Sequence, residues 1–283
     1  MTDPTPVAVL EDSPYARDWS AAEDHLAVTA YADGVVLVTL SQPDRRNAMS
    51  DRMTAAWPRL MAALRADADV RVVVLTGAGG AFCSGGDTGW IGGAPDASVA
   101  DLRDRMLAFY RGWLSVRELE VPTIAAVNGA AVGAGAALAL ACDLRHAAAS
   151  ARFSVPFAQL GLHPGMATTW LLPEAVGVAA ARDLLLTGRV VDSAEMLRLG
   201  LVSTVSGDDG FLDGVLRLAH SVAAAAPVAV RLTKAALVGG AHADYATALQ
   251  WEALAQAVTL ATEDLQEGLA AVREKRAPRF TGR

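Results

Sequence analysis

Two glycine-rich segments, Ser84-Gly85-Gly86-Asp87 and Asn128-Gly-Ala-Ala-Val-Gly-Ala-Gly135, hold the residues of this sequence best suited to chemistry. Glycine lacks a Cβ, so backbone N–H groups in such segments can come close to a ligand. The second segment opens a small-residue helix, and a helix N-terminus carries partial positive charge. Two backbones of this kind can aim two N–H donors at one oxygen, which is an oxyanion hole for a carbonyl acquiring negative charge. The same glycines would equally serve tight turns and close packing, and spacing alone leaves both readings open.

Other catalytic patterns fail. Gly77-Ala-Gly79-Gly80-Ala-Phe82 puts Phe where a dinucleotide fingerprint needs its third Gly. A P-loop would need Gly-Lys-Ser/Thr and a hydrolase elbow G-x-S-x-G, and neither occurs. His25, His146, His163, His220 and His242 have no metal-ligand spacing. The only two cysteines, Cys83 and Cys142, form no CxxC pair, so a disulfide framework and a cysteine zinc site are unsupported and a cytoplasmic setting is expected. With 24 Lys+Arg against 31 Asp+Glu, the net charge is −7 and no basic block is dense, so neither nucleic acid nor a membrane surface is an expected partner. At 53% hydrophobic and 19% charged residues, the 283-residue chain is globular rather than disordered. The start of the chain lacks a basic stretch leading into an apolar run, so no signal peptide is expected.

These segments need a scaffold. Residues 26–31 and 35–40 are β-rich around Asp33-Gly34, a dipeptide suited to the positive φ angles of a tight hairpin. Ser50 can cap a helix carrying Met53, Trp57, Leu60, Met61 and Leu64, with Pro58 predicting a kink or a late start. An apolar strand at 70–75 feeds the first glycine-rich loop. A helix at 98–119, a strand at 123–127, a helix at 133–141, β-like pieces at 144–147 and 153–155, and helices at 168–175, 179–186 and 193–199 complete a β/α alternation. Residues 121–142 carry no charge and imitate a membrane span, but Pro122 and Asn128-Gly129 divide them into a strand and a helix of a soluble core. From residue 211 only helices are expected, at 211–225, 228–238, 245–258 and 263–276, and they need either the body or another subunit to pack on. The expected organisation is an irregular lead-in at 1–25, a body at 26–208 and a helical segment at 209–283.

Six motifs stand in order along the chain: Pro43-Asp-Arg-Arg-Asn-Ala-Met-Ser50, Ala81-Phe-Cys-Ser-Gly-Gly-Asp87, Val121-Pro-Thr-Ile-Ala-Ala-Val-Asn-Gly129, Ala139-Leu-Ala-Cys-Asp143, Leu160-Gly-Leu-His-Pro-Gly165 and Leu186-Thr-Gly-Arg189. With them, the sequence from about Leu26 to the carboxyl end resembles the enoyl-CoA hydratase/isomerase family, the crotonase superfamily. The resemblance implies an α/β fold: a crotonase-like ββα spiral body that binds acyl-CoA, with a C-terminal all-helical trimerisation segment. It implies an acyl- or enoyl-CoA thioester as ligand, self-association as a homotrimer or dimer of trimers, and no metal or cofactor beyond the coenzyme A of the substrate. Carried over by position, the oxyanion donors are the backbone N–H groups of Gly86 and Ala134, flanked by Ser84, Gly85 and Gly133. The family usually has Gly at the position of Ala134, but a main-chain donor tolerates Ala. Arg46 and the Ala48-Met49 backbone would lie along the CoA nucleotide, and Lys275 or Arg276 could reach a phosphate.

The family's hydratases use two glutamates to hold a water for addition across the double bond. This chain has Ala137 and Phe157 at those positions. Neither can transfer a proton, so hydration and ordinary double-bond isomerisation by that route are not expected. Among substitutes, His163 offers an imidazole, the side chain that titrates nearest neutrality, although a histidine in an apolar segment is more often structural. Asp87 is expected to cap the chain entering the next segment. Trp90, Phe157, Met166 and Trp170 are expected to line an acyl pocket, alongside Ala137. The alternatives kept are a non-catalytic acyl-CoA binder and a CoA-thioester decarboxylase or hydrolase with another proton donor.

Overall fold

The structure is a computed structural model; it describes residues 7–11, 13, 15, 19, 23–87, 89, 96–240 and 244–283. β1 (Leu26–Ala30) and β2 (Val35–Leu40) form the expected antiparallel hairpin, with Leu26 opposite Leu40. Only Gly34 takes a positive φ there, at 85°. Tyr31 N–H donates to Val35 O across a three-residue loop, and the Asp33 carboxylate accepts from Val35 N–H. Asp33 itself needs no left-handed backbone because a three-residue hairpin uses one such residue, at its end.

Helix α1 (Asp51–Ala66) starts at once after Ser50, whose hydroxyl accepts from Met53 N–H at 3.3 Å. Pro58 therefore does not delay it. The face carrying Met53, Trp57, Leu60, Met61 and Leu64 is buried. Trp57 stacks on Trp113 at 4.9 Å between ring centroids and donates its indole N–H to Trp113 O at 3.1 Å.

Three ββα units follow. β3 (Val72–Gly77), β4 (Ala81–Cys83) and α2 (Val99–Leu114) make the first. β5 (Thr123–Val127), β6 (Ala130–Val132) and α3 (Ala134–Ala141) make the second, and β7 (Leu144–Ala148), β8 (Arg152–Ser154) and α4 (Thr168–Thr187) the third. In each unit the first strand joins a six-stranded sheet, ordered β1-β2-β3-β5-β7-β10, and the second joins a four-stranded sheet, β4-β6-β8-β9. The chain thus climbs as a spiral between two sheets. β9 (Val191–Asp192), α5 (Ser193–Arg198) and β10 (Thr204–Ser206) complete it.

Continuous apolar strands arise here because the large sheet is covered on both faces. Val73, Leu75, Ala125 and Val127 face the main core with α1 and α3. Val72, Val74, Ile124 and Ala126 face a second cluster closed by Phe211, Val215, Ala219 and Ala223. Those four residues form one stripe of α6 (Phe211–Ala223). Fully burying a side chain the size of Val or Phe stabilises by about 1.5–3 kcal/mol, so this stripe anchors the helical tail to the body.

Some element bounds differ from expectation. The 98–119 helix ends at Leu114 and tightens into a 3₁₀ turn, Ser115–Glu118. The two helices expected at 168–175 and 179–186 are continuous in α4 except at Gly177, where φ 76° and ψ 160° break the helical path. The uncharged 121–142 stretch is cut into β5, β6 and α3, as its turn residues require. Among the described residues no single helix is long and apolar enough to cross a membrane, although α6 and α7 (Pro227–Gly240) together are apolar and meet at 106°.

Beyond α7 lie α8 (Tyr245–Leu260) and α9 (Glu263–Glu274). Helix α8 buries no residue, leaving Tyr245, Leu249, Leu254 and Leu260 exposed. The last residues fold back. Asp264 accepts from Thr281 N–H and Gly282 N–H, Glu267 takes Arg276 through both carboxylate oxygens, and Arg71 donates to Phe280 O at 2.8 Å.

Candidate active site

The two glycine-rich segments leave the sheets side by side, because β4 and β6 are parallel neighbours. Asn47 and Asn128, two side chains that carry both a donor and an acceptor, hold the turns beside them. Asn47, fully buried, accepts from Gln42 N–H at 2.9 Å and donates to Ala78 O at 2.9 Å and Ala81 O at 2.8 Å. Asn128 accepts from Gly77 N–H at 3.1 Å and donates to Gly77 O at 2.8 Å and Gly79 O at 2.9 Å. Both residues fall within the motifs given above, Asn128 also as the residue that opens a turn, but their hydrogen bonds to distant backbone groups do not follow from those motifs. The readable signal was an amide side chain directly before a small-residue turn, where three or four backbone groups need partners.

Residues 46–49 zip onto the first loop. Ser84 N–H donates to Arg46 O at 3.0 Å, and Met49 N–H donates to Gly85 O at 2.9 Å. Ala48 N–H is also used, by Arg45 O. The Ala48-Met49 amides are thus committed within the chain and both residues are buried, so within residues 46–49 only Arg46 is exposed.

Gly85 sits against the start of α3. A Cβ there would lie 2.7 Å from Val132 O and 3.2 Å from Ala134 N, and its φ of 97° suits glycine alone. One residue further along α3, a Cβ on Gly135 would overlap the Cys83 carbonyl. The pair of segments is therefore fitted backbone to backbone.

Gly133 precedes the helix at φ 55°, ψ −117°, and its N–H donates to Ser154 O of β8 at 2.9 Å. Ala134 is the first residue of α3, so its N–H has no acceptor inside the helix. Ala134 and Gly86 are both half-buried, and the helix end adds partial positive charge to the same spot.

Asp87 behaves as a cap: it accepts from Gly89 N–H at 2.9 Å and pairs with Arg45 at 2.6 Å. A cavity of about 530 Å³ adjoins it, with Arg45, Arg52 and Arg105 in its lining.

The other candidate positions divide. Ala137 is fully buried in α3. Phe157 is half-buried, its ring 3.9 Å from where a Gly133 Cβ would be. Met166 is buried in the main core with φ 51°. All three join the core cluster on which Ala134 packs. Trp170, expected in the pocket, is 41% exposed with the Arg117 guanidinium 5.1 Å above its ring. Trp90 lies outside the described residues. His163 stands apart: it is exposed, and its Nδ1 donates to Pro164 O at 2.8 Å. Lys275 is exposed at the C-cap of α9 and takes no part in the hydrogen bonds of the loop pair. Arg276 is held by Glu267 and Glu274. Burial pushes the thiols of Cys83 and Cys142 up to about 12, so neither is a nucleophile near neutral pH.

Comparison with known proteins matches residues 30–283 to the family model described as enoyl-CoA hydratase/isomerase. The probable enoyl-CoA hydratase EchA14 of Mycobacterium tuberculosis is 45% identical over 204 residues, 72% of this chain and 77% of that protein. The mitochondrial enoyl-CoA hydratase domain-containing protein 2 of Mus musculus is 38% identical over 263 residues, covering 91% and 88%. The crystal structure of a putative enoyl-CoA hydratase from Streptomyces coelicolor A3(2) superposes with a TM-score of 0.86 at 37% identity, covering all of both chains.

Proposed function

The chain belongs to the enoyl-CoA hydratase/isomerase family, and from that premise we propose that it binds an acyl- or enoyl-CoA thioester and holds the thioester oxygen between the N–H groups of Gly86 and Ala134. The observation that carries this reading is the fit of Gly85 onto the N-terminus of α3, which brings an unpartnered first-turn N–H beside the 84–87 loop. Charge that develops on the oxygen as an enolate forms would be met by two fixed dipoles and a helix end. One such donor has been worth about 2.7–4 kcal/mol of transition-state stabilisation in other enzymes. Ser84 and Arg46 line the way for the CoA portion, and Lys275 would need a neighbouring subunit to join them. The coenzyme A of the substrate is the only cofactor this reading calls for.

Hydration is not the chemistry proposed. The positions from which family hydratases aim two glutamates carry a buried methyl group and a benzyl group, Ala137 and Phe157, and the oxyanion hole by itself supplies no proton. The same two residues favour a second reading, a thioester-binding protein without turnover.

Crotonyl-CoA separates these from a hydratase. It should bind and raise the thermal midpoint, as any ligand that prefers the native state does, while its hydration stays far below the roughly 10 per second typical of metabolic enzymes. Hydration at that rate would overturn the reading of Ala137 and Phe157. No binding of any CoA thioester would overturn the whole proposal. Malonyl-CoA is the third ligand: release of CO₂ would favour decarboxylation over passive binding.

A further inference from the structure

A cavity of about 510 Å³ lies between the body and the helical tail, a volume in the range of small-molecule sites. Leu140 and Leu171 line it from the body, and Val222, Ala229 and Val230 from α6 and α7. Leu140 stands about 9 Å along the axis of α3 from Ala134, so this cavity is at the opposite end of that helix from the thioester site. Its lining also carries Arg117, Asp143, Arg145, Glu174 and Lys234. Three cations against two carboxylates leave one positive charge in excess.

Lys234 and Asp143 satisfy each other at 2.7 Å, and Asp143 also accepts from the N–H and O–H of Thr123. Arg145 is held differently. Its Nε donates to Leu201 O at 2.9 Å, and its Nη1 to Cys142 O at 2.7 Å and Leu140 O at 3.4 Å. These neutral carbonyls fix the guanidinium without cancelling its charge. Nη2 has no hydrogen-bond partner among the described residues and is not sealed from the cavity. Among the described residues neither Arg145 nor Arg117 forms an ion pair. Burial lowers the pKa of Arg145 although Asp143 and Glu174 act the other way, so its charge is under-compensated where it stands. A guanidinium fork fixed in this way suits a carboxylate, and the apolar walls favour one that carries a hydrocarbon tail.

We propose that this cavity is a second ligand site, separate from the thioester site, for a medium-chain monocarboxylate: the carboxylate pairs with Arg145 and Arg117, and the alkyl chain lies along Leu140, Leu171 and Val230. One such ligand cancels the excess charge.

Calorimetric titration of the full-length protein, in its native assembly, with octanoate and with octanol tests this, because the two share a chain length but not a charge. The parent should bind octanoate about tenfold more tightly than octanol, and saturating crotonyl-CoA should leave that affinity unchanged. Glu174→Gln removes a carboxylate from the lining and should tighten octanoate about threefold, with octanol unaffected. Ala229→Leu narrows the cavity and should weaken both ligands about tenfold while crotonyl-CoA still binds. If that variant also loses crotonyl-CoA, the Glu174→Gln comparison decides alone. The proposal is overturned by absence of octanoate binding, as when a second copy of the chain covers the groove, or by equal affinity for acid and alcohol. Displacement of octanoate by crotonyl-CoA overturns it too, by placing the acid in the thioester site, as does an octanoate affinity unchanged in both variants. Should crotonyl-CoA fail to bind the parent, the acyl-CoA reading falls, while the comparison of octanoate with octanol still decides this one.

Discussion

Ala134 offers one methyl group at the mouth of a helix whose first N–H points out of the helical ladder. A β-branched residue there would crowd the thioester and restrict the backbone, whereas glycine would leave the donor in place. Ala134→Val is expected to weaken acyl-CoA binding by at least tenfold, and Ala134→Gly by less than threefold, about 1.4 and 0.6 kcal/mol respectively. Ground-state binding loses less than a transition state would, because the carbonyl carries only partial charge before reaction. Circular dichroism should first confirm that both variants keep the fold. Equal binding by the valine variant would remove Ala134, and Gly86 with it, from the carbonyl site.

At the scale of elements, the loops are held by side chains rather than by ladders. Asn47 satisfies one backbone donor and two backbone acceptors around residues 42, 78 and 81. Removing a partner from a buried polar group costs about 1–3 kcal/mol, so Asn47→Ala should destabilise by at least about 3 kcal/mol in urea unfolding and weaken thioester binding as well. Unchanged stability would show that water can replace the amide.

The carboxyl tail is clamped differently. Hydrogen bonds from Arg276 and then from Arg279 N–H bring the Glu267 carboxyl down to about 2. A carboxyl held lower in the folded than in the unfolded chain contributes stability that is complete above its unfolded pKa of about 4.3 and fades as pH falls through its folded value. The thermal midpoints of the parent and of Glu267→Gln should therefore differ at pH 6 and converge between about pH 4 and pH 2. A constant difference across that range would show that the clamp does not depend on charge. The pair still reaches solvent, so the effect at pH 6 should be small and should shrink in salt.

For the whole molecule, α8 is the element without a place. It buries nothing, yet it presents Tyr245, Leu249, Leu254 and Leu260 outward, while Leu237 of α7 is 71% exposed. Apolar rows of this kind on the surface of one chain mark contact with another. A trimer or dimer of trimers is expected by light scattering at micromolar concentration, and Leu254→Asp should shift it toward smaller species. A monodisperse monomer of the parent would refute this. Assembly would also decide whether Lys275 meets a neighbouring subunit's CoA.

Much was readable before any coordinate. The hairpin around Gly34, the Ser50 cap, the apolar strand leading into the first glycine-rich loop, and the division of residues 121–142 all follow from turn chemistry and periodicity, which are local properties of neighbouring residues. Ala137 and Phe157 were likewise visible as residues unable to move a proton. The tertiary structure alone decided which distant groups meet. Asn47 reaches Ala81, Gly85 lies on Ala134, Tyr110 reaches Gly165, and Trp170, apolar enough for a pocket wall, stands instead under Arg117 at the surface. Such contacts join residues tens of positions apart. They depend on how two sheets and their helices stack, and no local pattern of residue types carries that information.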